Sequence, residues 1–156
     1  SADVADRALA YMDTLPTTDV GGIGGTLSGN ALSLAAMRAT LEHVLTDDAF
    51  EGMIALGERW ADGVQRSIER HGLPWVVQRI GCRAEYWFAP THPHNGGEAA
   101  ALDDHELARF THLYALNRGV LLTPFHNMAL MSPATTEDDV DTHSRVFEEM
   151  CEELTA

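Results

Sequence analysis

Lysine is absent. All ten basic side chains among the 156 residues are arginine. No side chain of this chain can therefore serve as an amine nucleophile or a Schiff-base partner. A Walker-type phosphate loop, which depends on its lysine, is excluded with it. Positive charge is scarce as well. Ten arginines stand against twenty-four acidic residues, a formal net charge of −14. That balance argues against nucleic acid as a partner and equally against an anionic membrane. No apolar run reaches the roughly 18 residues that would read as a membrane span, and nothing resembling a secretory leader opens the sequence. Cysteine is nearly missing. Cys82 and Cys151 lie far apart and form no metal or redox spacing, although two thiols could in principle pair. Such sparse cysteine suits a reducing compartment, so a cytoplasmic location is expected.

What is present is enough for a core. A chain of this size, 45% apolar, suits one domain or a piece of a larger one. Val4, Ala8 and Met12 recur at helical spacing, and Leu15-Pro16 ends that helix. A second helix carries Leu34, Met37, Leu41 and Val44. A third, longer one starts at Thr46, a good N-cap followed by Asp47 and Asp48. Its stripe runs through Phe50, Met53, Gly57, Trp60, Val64 and Ile68. Gly57 lies on that stripe, which predicts close backbone packing. Gly52, Gly57 and Gly63 each cost about 1 kcal/mol relative to alanine, so tertiary contacts must hold this helix.

Strands are expected over Trp75–Ile80 and Cys82–Phe88, with Cys82, Ala84, Tyr86 and Phe88 on one face. Pro90–Ala101 reads as a loop. Asp103, with Glu106 three residues on, reads as a helix start, and Gly119 as the stop. Val120–Leu122 reads as a short buried strand and Met128–Met131 as another. A last helix begins near Thr135-Thr136, with Val140, His143, Phe147, Met150, Cys151 and Leu154 on its stripe. The layout α-α-α-β-β-α-β-β-α is α/β in class, closer to α+β in its second half.

The most unusual stretch is Gly21-Gly22-Ile23-Gly24-Gly25-Thr26-Leu27-Ser28-Gly29-Asn30. Backbone amides in such a loop can converge on an anion, with the Thr26 and Ser28 hydroxyls beside them and a helix N-terminus behind. It is neither a Walker loop nor a dinucleotide fingerprint. A tight crossing capped by Asn30 or Ser28 explains the same residues.

Gly24-Gly25-Thr26-Leu27-Ser28-Gly29-Asn30, followed by an Ala/Leu/Met-rich helix, resembles the class III pyridoxal-phosphate aminotransferases. It is most similar to their glutamate-1-semialdehyde aminomutase branch. The likeness continues through Thr40-Leu41-Glu42-His43, Ala55-Leu56-Gly57-Glu58-Arg59, Asn117-Arg118-Gly119-Val120-Leu121-Leu122 and Thr135-Thr136-Glu137-Asp138-Asp139-Val140-Asp141. The resemblance implies a fragment of a fold-type I, pyridoxal 5'-phosphate-dependent transferase, with helices packed on a small, mostly antiparallel sheet. Residues 1–72 would close the large cofactor-binding domain, and 73–156 would form the small C-terminal α/β domain. It implies a homodimer in which Gly25 and Thr26 hold the cofactor phosphate of the neighbouring subunit. The small-molecule amino substrate and the Schiff-base lysine would meet on an N-terminal portion that this chain lacks. The chain would then supply phosphate anchoring and dimer surface, with no catalytic residue of its own. The alternative is a non-catalytic anion-binding or dimerisation module derived from that fold.

The sequence departs from the family in three places. Ala31 stands where the family usually has proline, which loosens the helix start and leaves the phosphate contact. The Pro90–Ala101 loop is long, and Thr123–Met131 is worded differently from aminomutases, so the substrate is left open. Other residues carry weaker signals. His92 and His94 lack a third ligand, so a solvated loop is the better reading. Arg83 suits pairing with Glu85 more than with a substrate carboxylate. His126 reads better as a loop histidine than as an active-site one.

Overall fold

A computed structural model of the chain describes residues 2–14, 29–123 and 126–156. Contacts divide it into two units, Ser1–Val44 and Leu45–Ala156. In the first unit the helices follow from local signals. Helix α1 spans Ala2–Met12 and helix α2 spans Ala31–His43. Gly29 adopts φ +83, open to glycine at no steric cost, and delivers the chain to Asn30. The Asn30 side chain then accepts the Ser33 N–H at 2.9 Å, which caps α2 with Ala31 at its first position. Neither helix contains a buried residue.

The second unit holds the core. Helix α3, Asp47–Arg70, begins at Thr46, whose side chain accepts from the Ala49 N–H. Met53, Gly57, Trp60, Gly63, Val64, Ser67 and Ile68 are its buried residues. Gly72 at φ +62 turns the chain out of it. Strands β1, Val76–Ile80, and β2, Arg83–Trp87, form a hairpin through Gly81-Cys82, with Gly81 at φ +56. Strand β3, Met128–Leu130, pairs antiparallel with β2, so the sheet order is β1-β2-β3. Helix α4 covers Gly96–Ala101 and helix α5 covers His105–Leu116. Helix α6, Glu137–Thr155, starts in a reciprocal capping box between Thr136 and Asp139.

Helix α3 packs against α6 on one side and against β1 and β2 on the other. The close approach predicted at Gly57 is present. A Cβ there would lie 3.2 Å from the Cys82 Cα and from the Gly81 carbonyl oxygen. Gly63 is closed by the Ser144 side chain, whereas Gly52 faces open space. Trp60, Val64, Tyr86, Val146, Phe147 and Cys151 are buried between these layers. Trp75 stacks on Tyr86 at 6.0 Å and tilts onto Phe88 at 4.8 Å, contacts that add to simple burial.

Three sequence expectations change. Val120–Leu122 has no strand ladder. Pro90–Ala101 contains the short helix α4, because Asn95 caps it by accepting the Glu98 N–H at 3.0 Å. Helix α5 is capped by Asp104, which accepts the Leu107 N–H, and not by Asp103. The α/β fragment class stands, with helices on a three-stranded antiparallel sheet.

Candidate functional site

Gly25 and Thr26 lie outside the described residues. The described chain resumes just after them, with the φ +83 turn at Gly29 and the capped start of α2. The fit of a pyridoxal phosphate to this chain is therefore one-ended. Its glycine amides and threonine hydroxyl suit a phosphate in chemical type. The cofactor aldehyde has no amine side chain to meet, since the chain has no lysine.

On the sheet, Arg83, Glu85 and His126 come together. Arg83 Nη2 donates to Glu85 Oε2 at 2.8 Å, and His126 Nδ1 stands 3.3 Å from Glu85 Oε1. The pairing of Arg83 with Glu85 is the one the sequence favoured. The burial of Glu85 is not legible in the β2 alternation, which places it opposite Ala84 and Tyr86. Its side chain is 11% exposed, and both carboxylate oxygens face a nitrogen, which is how a carboxylate tolerates that depth. His92 and His94 are both outside the core, and the His94 backbone N–H donates to Glu98 Oε2 at 2.7 Å. Among the described residues no group of three potential ligands could hold a metal ion.

The sequence singled out His143 only as part of a helix stripe. It is buried between Trp60, at a ring separation of 4.8 Å, and Phe147, at 5.9 Å. Burial pushes its imidazole down to about 4, so it is neutral at pH 7. Its Nδ1 is buried without a hydrogen-bond partner among the described residues. Burial likewise pushes the Cys151 thiol up to about 12, with Glu148 adding to the effect, which makes it inert as a nucleophile. Burial raises the carboxyl of Glu148 as well. Ser67, His71 and Arg70 more than offset this and hold it below the usual carboxylate range. His143 lines a cavity of about 370 Å³. The cavity opens between residues 119–123 and β3.

No protein-family model matches the chain. Its sequence is 34% identical over 120 residues to a glutamate-1-semialdehyde 2,1-aminomutase of Desulforapulum autotrophicum, covering 75% of this chain and 27% of that protein. A crystal structure of a Pseudomonas aeruginosa PAO1 glutamate-1-semialdehyde aminomutase, a lysine-to-alanine variant in complex with PMP, superposes with a TM-score of 0.85. The two are 46% identical, over 97% of this chain and 34% of that one. A β-phenylalanine aminotransferase from Variovorax paradoxus shares the fold at a TM-score of 0.73 and 21% identity, over 83% of this chain and 30% of that one. The chain thus spans about a third of the length of the relatives it matches. Over that third it is a partial relative of the glutamate-1-semialdehyde aminomutases, with the fold of the pyridoxal-phosphate-dependent aminotransferases.

Proposed function

We propose that this chain is the C-terminal portion of a class III pyridoxal-phosphate-dependent aminotransferase of the aminomutase type. The complete enzyme transfers an amino group on a small-molecule amino substrate. The observation that carries this reading is the 46% identity, maintained over 97% of the chain, to an aminomutase whose structure contains PMP. The cofactor, when bound, supplies the electron sink for proton transfer at the substrate carbon. In this reading Gly25 and Thr26 bind its phosphate in a homodimer, using one backbone amide and one hydroxyl ahead of α2. Neutral hydrogen-bond donors at a helix start stabilise a dianion without adding a titratable group. Proton transfer belongs to a lysine outside this chain.

The test is a chimera in which this chain replaces the matched third of the P. aeruginosa aminomutase with its lysine intact. The expected result is a cofactor-retaining protein that transfers amino groups on glutamate 1-semialdehyde. A folded chimera that keeps the cofactor and transfers none would rule out the aminomutase assignment.

A further inference from the structure

The cavity beside His143 has two walls of the same kind. One is β3. The Tyr86 N–H donates to the Asn127 carbonyl and the Met131 N–H to the Cys82 carbonyl. Antiparallel pairs alternate between bonded and non-bonded positions, so residues 127, 129 and 131 face β2. Met128 and Leu130 must then point their N–H and C=O groups away from β2, toward the free edge. The other wall is Leu121-Leu122. Among the described residues, no hydrogen bond satisfies the backbone groups of Leu121, Leu122, Met128 or Leu130. Both walls are also apolar and exposed: Leu121 is 78% exposed and Leu130 63%. Between them, the buried Trp60, Val140 and His143 line the cavity.

A free sheet edge is normally protected by charge, proline or a bulge. Met128-Ala129-Leu130 has neither charge nor proline, and the same holds for Val120-Leu121-Leu122. Val120–Leu122 reads as a strand in sequence, and in the fold it has no ladder. The missing ladder and the open β3 edge face the same gap.

We infer that this groove seats an extended strand from the longer polypeptide to which the chain belongs. The strand hydrogen-bonds Met128 and Leu130 on one side and whichever of the consecutive residues Leu121 and Leu122 faces the gap on the other. Three facts favour this occupant. Relatives carry about two thirds of their length beyond the matched region. The unmet groups are backbone donors and acceptors, which a strand satisfies in register and a small molecule does not. A second copy of this chain would set one molecule of net charge −14 against another. The inference rests on the reading of the chain as part of a longer aminotransferase.

The test is amide hydrogen exchange on this chain. The probe is a set of short overlapping peptides covering the P. aeruginosa aminomutase outside its matched third. One peptide is expected to bind and to slow exchange at Met128 and Leu130, and at one of the consecutive residues Leu121 and Leu122, by about tenfold or more. Leu130→Pro removes an outward N–H while the inward bonds of Ala129 and Met131 remain, and should abolish that binding. If that variant does not fold, Leu130→Lys should weaken binding instead. Absence of binding by any peptide to the folded chain overturns the inference. So does protection elsewhere, or protection of these amides that rises with chain concentration alone, which would mean a second copy. None of these outcomes involves Gly25 or Thr26, so a cofactor-retaining chimera alongside a silent groove would refute the strand and leave the aminotransferase reading in place.

Discussion

The two units teach different things about what local sequence can achieve. Helices α1 and α2 form from spacing and a single asparagine cap, yet Val4, Leu9, Tyr11, Leu34, Met37 and Leu41 are all exposed. Leu45–Ala156 uses the same helical signals and buries its stripes, because α3, α6 and the sheet supply surfaces for one another. A stripe specifies a helix. Only a facing element turns it into stability.

That contrast can be broken most sharply at Trp60. Trp60→Ala should destabilise the second unit by about 3–5 kcal/mol, through lost burial and the cavity left behind. Urea denaturation monitored by the remaining tryptophans, Trp75 and Trp87, checks this.

The next effect is set by pH at His143. Its folded value, about 4, lies below the ordinary 6.5, so between those values the unfolded chain binds more protons. Stability is therefore lost as pH falls through that window, by about 3 kcal/mol at 1.4 kcal/mol per unit. Stability curves at several pH values should show this slope, and His143→Phe should remove most of it.

Smaller still is a pair on one helix. Gly57→Ala should cost about 1–2 kcal/mol, because a Cβ at 3.2 Å from backbone atoms outweighs the gain in helix propensity. Gly52→Ala meets nothing within 4 Å and should stabilise by up to about 1 kcal/mol. Thermal melts of both variants compare them directly. Leu34→Ala, in the first unit, should change stability by no more than about 0.5 kcal/mol. A larger loss in the same melts would mean that α2 is packed after all.

Much of this fold was legible in the residues, for physical reasons. Thr46, Thr136 and Asn30 act within three residues of themselves, so helix starts could be placed from sequence. The Gly57 contact was visible because a glycine on an apolar stripe has few other reasons to be there. Helix α4 was hidden because Gly96-Gly97 suggests a loop, while its real signal, Asn95 with Glu98, is a single cap. The state of Val120–Leu122 could not be read, because a strand depends on its neighbour as much as on its own residues. Glu85 was missed as a buried group for a similar reason, whereas the stripe of α6 already put His143 on its inner face. Alternation and periodicity say which face a residue takes, but not what covers that face.

The central claim concerns Gly25 and Thr26, and the most direct measurement is pyridoxal phosphate affinity in the chimera with and without Thr26→Val. If the hydroxyl donates to the phosphate, its loss removes one hydrogen bond to a charged group. Affinity should then fall by about 1.5–3 kcal/mol, roughly tenfold to a hundredfold, with the dimer intact. An unchanged affinity in a folded, dimeric variant would contradict the assignment of the phosphate to this loop.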